Sequence, residues 1–170
     1  MLLVVGCMPS EASTRREAVG GLEDQARAVH QAMLTYRSRD PLSAGDAAIA
    51  SLDEEYAFPG RQDVVHADGS FEVVVPVANR VERGGGLFYY QAGVGGCVSM
   101  EVTPGSRDSD GQRGEVTTTA VECPTGMVPE SGGYAVEVIE LDIGVLTDEV
   151  PAETVKPGAC FGTTGDCPGG

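Results

Sequence analysis

The first long pattern of apolar positions lies in residues 14–36 and has helical spacing. Apolar residues recur there at gaps of three and four positions, which places them on one face of an α-helix. Gly20 and Gly21 each cost about 1 kcal/mol relative to alanine in a helix interior, which moves the expected start toward Leu22. The sequence therefore predicts one amphipathic helix. Its apolar stripe comprises Val19, Leu22, Ala26, Val29, Met33 and Tyr36.

A second, shorter helix is predicted over residues 43–55. Asp40 and Pro41 end the first helix, and the run Ser43-Ala44-Gly45-Asp46 supplies the capping residues from which the next one starts. The apolar face of this second helix comprises Ile49, Leu52 and Tyr56.

After residue 58 the pattern changes to short apolar runs that are separated by glycine, proline and aspartate. Such runs, with turn residues between them, indicate an antiparallel meander. Pro76 within one run favours an edge strand or a bulge, because proline has no N–H for a strand ladder. The runs are residues 64–67, 71–77, 87–90, 97–102 and 116–123, and residues 134–146 could add a last strand.

The five cysteines divide into Cys7 near the start and four in the rest of the chain. An even number in that remainder can pair completely, which is typical of proteins in oxidising compartments. Four cysteines permit three connectivities, and we favour the one in which each cysteine is bridged to the next cysteine along the chain. They are Cys97 with Cys123, and Cys160 with Cys167.

The hairpin that would carry the first bridge has a predicted register. If Cys97 lies opposite Cys123, the midpoint falls within the turn-forming run Asp108-Ser109-Asp110-Gly111. Met100 then faces Ala120 across the hairpin. Turn chemistry and cysteine positions thus agree, and a cross-strand bridge would add about 2–4 kcal/mol to stability.

A helical N-terminal part followed by four or five antiparallel strands predicts an α+β fold, with a helix or helix pair packed on the sheet. Cystatin-like and NTF2-like sheets resemble this chain in element order. We expect residues 1–7 to lie outside the fold and residues 8–146 to form a single domain. Residues 147–170 are acidic and have little periodicity, so they are expected to form a flexible, poorly ordered tail with a small disulfide loop.

The first seven residues are apolar and end in a small residue followed by cysteine. Val4-Val5-Gly6-Cys7 resembles the lipobox of bacterial lipoproteins, so we expect residues 1–7 to be a signal or lipobox remnant. That resemblance implies cleavage before Cys7 and a diacylglycerol on its thiol, which would anchor the chain outside the cytoplasmic membrane. The apolar stretch is shorter than a complete export signal, so we expect the true start to lie upstream of Met1. A transmembrane stub or a buried strand is the alternative.

Net charge restricts the class of partner. The chain has 26 acidic and 11 basic residues, which gives a formal net charge of −15. Such a chain repels phosphate backbones, whose binding depends on clustered lysine and arginine. Nucleic acid is therefore not an expected partner.

Residues that could carry catalysis are few. The chain has two histidines, and no serine lies in a Gly-x-Ser-x-Gly elbow. We interpret His30 as a helix-surface side chain and His66 as a strand residue near a turn. No cysteine or histidine spacing matches a zinc site, and the glycines of residues 93–96 lead into a strand rather than a phosphate-binding helix. No catalytic residue, metal or cofactor is therefore assigned.

Two surface features are candidate contact sites. Tyr89 and Tyr90 are neighbours in a predicted strand, so their rings point to opposite sides and one of them faces solvent. An exposed tyrosine there is a candidate contact residue, whereas core packing is the competing interpretation. At the predicted hairpin tip Asp108, Asp110 and Glu115 could bind calcium, for which an ordinary solvated turn is the simpler explanation.

Together these features predict a non-enzymatic binding module of the cell envelope, lipid-anchored or secreted, that contacts another envelope protein. A secreted hydrolase inhibitor is the first alternative, in which the loop of residues 161–166 or the tip of residues 108–111 enters an active-site cleft. The second alternative is a small-ligand carrier or enzyme with a pocket between helix and sheet.

Overall fold

Two helices lead the chain and strands follow them, in the order that the periodicity predicts. The computed structural model describes residues 10–55, 58–85, 88–105 and 113–151. The helices there are α1 (Glu11–Arg39) and α2 (Gly45–Glu55). The strands are β1 (Gln62–Val65), β2 (Phe71–Gly85), β3 (Phe88–Pro104), β4 (Gly114–Val121), β5 (Glu130–Ser131), β6 (Tyr134–Ala135), β7 (Glu137–Val138) and β8 (Val145–Glu149).

The main sheet is antiparallel except at one short strand. Strands β1, β2, β3, β4 and β8 are neighbours in that order, and β7 pairs with β3 in parallel. Strands β5 and β6 form a separate two-stranded ribbon. Helix α1 packs on β2 and β3, which confirms the α+β fold with a helix on a mostly antiparallel sheet.

The sheet has two different sides. We call the side covered by α1 the helix face, and the opposite side the outer face. Side chains alternate between the two along each strand. The helix face carries Val73, Val98 and Val116, whereas the outer face carries Pro76, Gly95 and Cys97.

Helix α1 begins at Glu11, earlier than the start near Leu22 that the two glycines favour. Ser10 caps it: the Ser10 Oγ accepts the backbone N–H of Ser13 at 3.2 Å, and the Ser13 Oγ accepts that of Ser10 at 2.9 Å. This reciprocal pair gives partners to amide groups that a helix start leaves without them. The expectation of a later start was therefore wrong.

Gly21 allows α1 to approach the sheet closely. The Asn79 side chain on β2 donates from Nδ2 to the carbonyl oxygen of Ala18 at 3.0 Å. A Cβ atom on Gly21 would lie 2.2 Å from that same Nδ2. By contrast, a Cβ atom on Gly20 would have nothing within 4 Å.

We expect these neighbouring glycines to respond to alanine in opposite directions. Gly20→Ala should raise the free energy of unfolding by about 0.5–1 kcal/mol, since alanine removes the entropic cost of glycine and meets no other atom. Gly21→Ala should lower it by about 1–3 kcal/mol, because the methyl group must displace Asn79 and break its hydrogen bond. Urea denaturation of both variants measures the difference. Stabilisation by both substitutions would contradict the close approach at Gly21.

The hairpin of β3 and β4 has the predicted faces but a different register. Met100 lies opposite Thr118 rather than the expected Ala120, a shift of two residues. Because side chains alternate with a period of two, this shift leaves every side chain on its predicted face. The observed register pairs Val102 with Val116 on the helix face, where both are buried. Burial of this apolar pair explains why Cys97 and Cys123 are not directly opposite each other in the ladder.

Pro76 lies in β2, where the sequence predicts an edge position or a bulge. Strand β1 pairs with β2 only as far as Val74. Beyond Val74, β2 has no described strand on the side away from β3. The missing N–H of Pro76 therefore removes no hydrogen bond from a strand ladder there. Strand β2 as a whole is not an edge strand, but Pro76 lies in the part of it that extends beyond β1.

The chain from residue 134 onward differs most from its prediction. It forms the short strands β6, β7 and β8 rather than one strand over residues 134–146. Between β7 and β8, Leu141 and Ile143 leave the ladder and are buried in the core. Strand β8 then pairs with β4, and Val150 is buried, so the sheet continues past residue 146. Burial of these apolar side chains explains why residues 147–150 lie on the sheet, although the acidic composition of this region predicts a tail.

Candidate functional site

A polar cluster lies inside the interface between α1 and the sheet. His30 is 2% exposed, and its Nδ1 lies 2.8 Å from the Thr118 Oγ1 on β4. Its Nε2 lies 2.9 Å from the Asp148 Oδ2 on β8. The interpretation of His30 as a helix-surface residue was wrong, because position 30 follows Leu22 and Ala26 at intervals of four on the buried stripe of α1.

This cluster has the order acid, base, hydroxyl that is used in acyl transfer, but its hydroxyl is not accessible. Thr118 is 0% exposed on the helix face, whereas a nucleophile must reach its substrate. An ionised carboxylate only accepts hydrogen bonds, so the ring donates from Nε2 to Asp148, and its Nδ1 shares a hydrogen bond with the Thr118 hydroxyl. The contacts thus join one helix to two strands, and they attach the edge strand β8 to the core.

Removal of the carboxylate should loosen that edge strand. Asp148→Ala is expected to lower the free energy of unfolding by about 1–2 kcal/mol, because the buried His30 Nε2–H loses its acceptor. Amide hydrogen exchange in β8 should become faster as well. Asp142→Ala, which removes an exposed carboxylate just before the same strand, is the control. Equal exchange in both variants would show that His30 does not hold β8.

A glycine-rich stretch of β3 lets another part of the chain lie directly on the outer face. A Cβ atom on Gly95 would lie 2.5 Å from Pro129 and 2.7 Å from Val136. A Cβ atom on Gly93 would lie 3.0 Å from Val136. These glycines are therefore needed for the packing of residues 124–138, which the sequence did not indicate.

The disulfide fastens this covering segment to the sheet. Cys97 in β3 is joined to Cys123, the pairing predicted from the hairpin, with 5.1 Å between their Cα atoms. Cys97 is fully buried, and its Sγ lies 3.5 Å from the Sδ of Met127. The bridge thus sits at the start of the segment that covers the outer face.

Two grooves flank the covering segment. The first, of about 590 Å³, lies toward β2, and the second, of about 460 Å³, lies where the end of β4 meets β7. The first is lined by Pro59, Gly60, Pro76, Gly126, Met127, Val128, Glu130 and Gly133. The second is lined by Ala120, Val121, Glu122, Cys123, Val138, Ile139, Glu140 and Leu141.

Large apolar side chains are exposed beside both grooves. Val128 is 55% exposed, Tyr134 is 64% exposed and Val138 is 54% exposed. The Tyr134 ring lies 4.8 Å from the guanidinium carbon of Arg80 on β2. We call the two grooves and these three side chains the disulfide-side surface. Sequence reasoning missed it, although valines without strand alternation among the prolines and glycines of residues 124–138 were a signal.

The candidate contact residues lie farther along β3. Tyr89 is 54% exposed on the outer face, and Tyr90 is half-buried on the other side, so the two rings diverge as expected. A hydrogen bond to Glu82 raises the pKa of Tyr89. Glu82 pairs with Arg80 at 3.0 Å, so a row of polar groups links Tyr89 to the disulfide-side surface.

Two exposed ion pairs join the start of α1 to the sheet. Arg15 contacts Glu137 in β7 through both carboxylate oxygens, and Arg83 in β2 contacts Glu17 in the same way. These hydrogen bonds lower the pKa of both carboxyl groups, so the pairs persist as the pH falls until the lowered values are passed. Exposed pairs contribute little to stability; the first of these joins α1 to β7, and the second joins α1 to β2.

Several predicted sites lie outside the described residues. These are the anchor Cys7, the Cys160–Cys167 loop and the hairpin tip at Asp108 and Asp110. His66 is described, and it is exposed in the turn after β1. In the part of the chain that is described, no three His, Cys, Asp or Glu side chains converge as metal ligands. Nor is any helix of residues 10–55 long and apolar enough to cross a membrane.

Comparison with models of known families gave no match, and comparisons with curated proteins and with solved structures gave none either. The likeness to cystatin-like and NTF2-like sheets remains one of element order.

Proposed function

We propose that this chain is an extracytoplasmic, lipid-anchored binding module of the bacterial cell envelope. It contacts another envelope protein through the disulfide-side surface and catalyses no reaction. The lipobox-like run Val4-Val5-Gly6-Cys7 supports the location, and the Cys97–Cys123 bridge is consistent with it.

One observation carries the binding role: apolar side chains are exposed on a segment that the fold holds rigidly. Val128, Tyr134 and Val138 are each more than half exposed, whereas the backbone that bears them packs on glycines and is tied by a disulfide. Clustered exposed apolar groups beside grooves are typical of protein contact sites. A surface that is already ordered loses little entropy on binding.

Photo-crosslinking in cells of the bacterium that produces the protein tests this proposal. A photoreactive residue at position 138 or 128 should give one discrete protein adduct, because both positions would lie inside the contact. The same photoreactive residue in place of Gln25, which is exposed on α1, is the control and should give no adduct. Mass analysis of the same material should find the chain acylated at Cys7.

Adducts at all three positions, or at none, would count against a specific contact on this surface. A chain recovered from the cytosol without an acyl group would contradict the proposed location.

A further inference from the structure

The groove where β4 meets β7 combines an apolar wall with two carboxylates. Val121, Val138 and Leu141 supply the apolar wall, and Glu122 and Glu140 border it. Both glutamates are exposed. Within the described ranges neither of them makes an ion pair or a hydrogen bond through its carboxylate. The groove therefore offers apolar contact and uncompensated negative charge together.

We infer that this groove receives a segment of the partner protein in which an aliphatic side chain lies between basic residues. The inference rests on the proposed function and names the chemistry of the partner. The aliphatic group would cover Val138 and Val121, and the basic groups would pair with Glu122 and Glu140.

Charge decides against a second copy of this chain as the occupant. The chain carries a formal net charge of −15, and Lys156 is its only basic residue after Arg113. Self-association at this groove would bring its carboxylates toward those of the other copy, and like charges across an interface are unfavourable. A basic partner gains from the same field, which also accelerates its approach.

Fluorescence anisotropy with a designed peptide tests the inference on the full disulfide-bonded chain. The probe is a labelled, acetylated hexapeptide in which lysine and arginine flank valine and leucine. A second peptide replaces its basic residues with glutamate, and a third replaces its aliphatic residues with serine. Only the first peptide should bind.

Matched variants locate the binding. The double variant Glu122→Gln/Glu140→Gln should weaken binding by about tenfold or more, since it removes both partners of the basic groups. Val138→Ser should weaken it by about fivefold, because it removes apolar contact area. The double variant Glu101→Gln/Glu115→Gln changes net charge equally but lies elsewhere on the outer face. It should change affinity by less than about twofold.

Equal weakening by both double variants would overturn the inference, because it would reveal general charge attraction. So would an unchanged affinity in Val138→Ser, or binding by the serine peptide as tight as that of the first. Circular dichroism of each variant, with wild-type spectra expected, ensures that a loss of binding is not a loss of fold.

The outcome separates this inference from the proposed function. Cross-linked adducts at position 138 without peptide binding would overturn the basic-aliphatic chemistry and leave the envelope contact in place. Peptide binding without any adduct in cells would support the groove chemistry and contradict the proposed cellular role.

Discussion

Replacing Arg37 with alanine is expected to lower the free energy of unfolding by about 3–5 kcal/mol. Arg37 is fully buried near the end of α1. Its Nη1 donates to the Ser43 Oγ at 2.8 Å, and its Nη2 donates to the carbonyl oxygens of Pro41 at 3.0 Å and Ser43 at 2.8 Å. Its guanidinium carbon lies 5.8 Å from the Tyr36 ring and 5.7 Å from that of Phe71. Alanine would leave a cavity and carbonyl groups without donors.

Two further variants separate the causes of this effect. Arg37→Met fills much of the same space with an apolar side chain but removes the hydrogen-bond donors. It should lower the free energy of unfolding by about 2 kcal/mol. Arg16→Ala removes an exposed arginine from the same helix and should change stability by less than about 0.5 kcal/mol. Chemical denaturation of the three variants measures these values. If Arg37→Ala matched Arg16→Ala, the buried contacts of Arg37 would contribute nothing to stability.

The charge on Arg37 explains why its partners matter. Burial lowers the pKa of its guanidinium, but arginine stays protonated in proteins. A buried cation without hydrogen bonds is strongly destabilising. Arg37 therefore requires the carbonyl groups of Pro41 and Ser43 as hydrogen-bond acceptors. The same contacts fix the connection between α1 and α2.

The second large effect is expected from the disulfide. The double substitution Cys97→Ala/Cys123→Ala should lower the free energy of unfolding by about 2–4 kcal/mol. The bridge joins cysteines separated by 26 positions, so its loss frees the unfolded chain. Amides of residues 124–138 should also exchange faster with solvent, since the bridge fastens that segment.

Thermal denaturation with and without dithiothreitol checks this expectation. Wild-type protein should unfold at a higher temperature than the double variant in the absence of the reductant, and at nearly the same temperature in its presence. The reductant is the internal control, because it removes the bridge without changing the sequence. Identical midpoints under oxidising conditions would contradict a stabilising role.

Local patterns were enough to predict the order of elements. The spacing of Leu22, Ala26 and Met33 identifies the buried side of α1, because a helix repeats its direction every 3.6 residues. Short apolar runs between turn residues likewise located β1 to β4, except that the two runs 87–90 and 97–102 belong to one strand, β3. Pairing of Cys97 with Cys123 followed from the hairpin between them. These features depend on neighbours in the sequence, so the sequence reveals them.

Polar residues in the core could not be predicted in this way. His30 meets partners 88 and 118 positions away in the sequence. Arg37 is basic and near a helix end, a position where an exposed side chain is normal. Burial of such groups is favourable only when partners are brought to them.

Sequence alone therefore determined the α+β class, the apolar stripe of the long helix and the bridged hairpin, because each is set by short-range periodicity or by turn chemistry. Tertiary structure alone decided the burial of His30 and Arg37, the close approach at Gly21 and the disulfide-side surface. The physical reason is that hydrogen bonds, contact distances and groove shapes depend on atoms that only folding brings together.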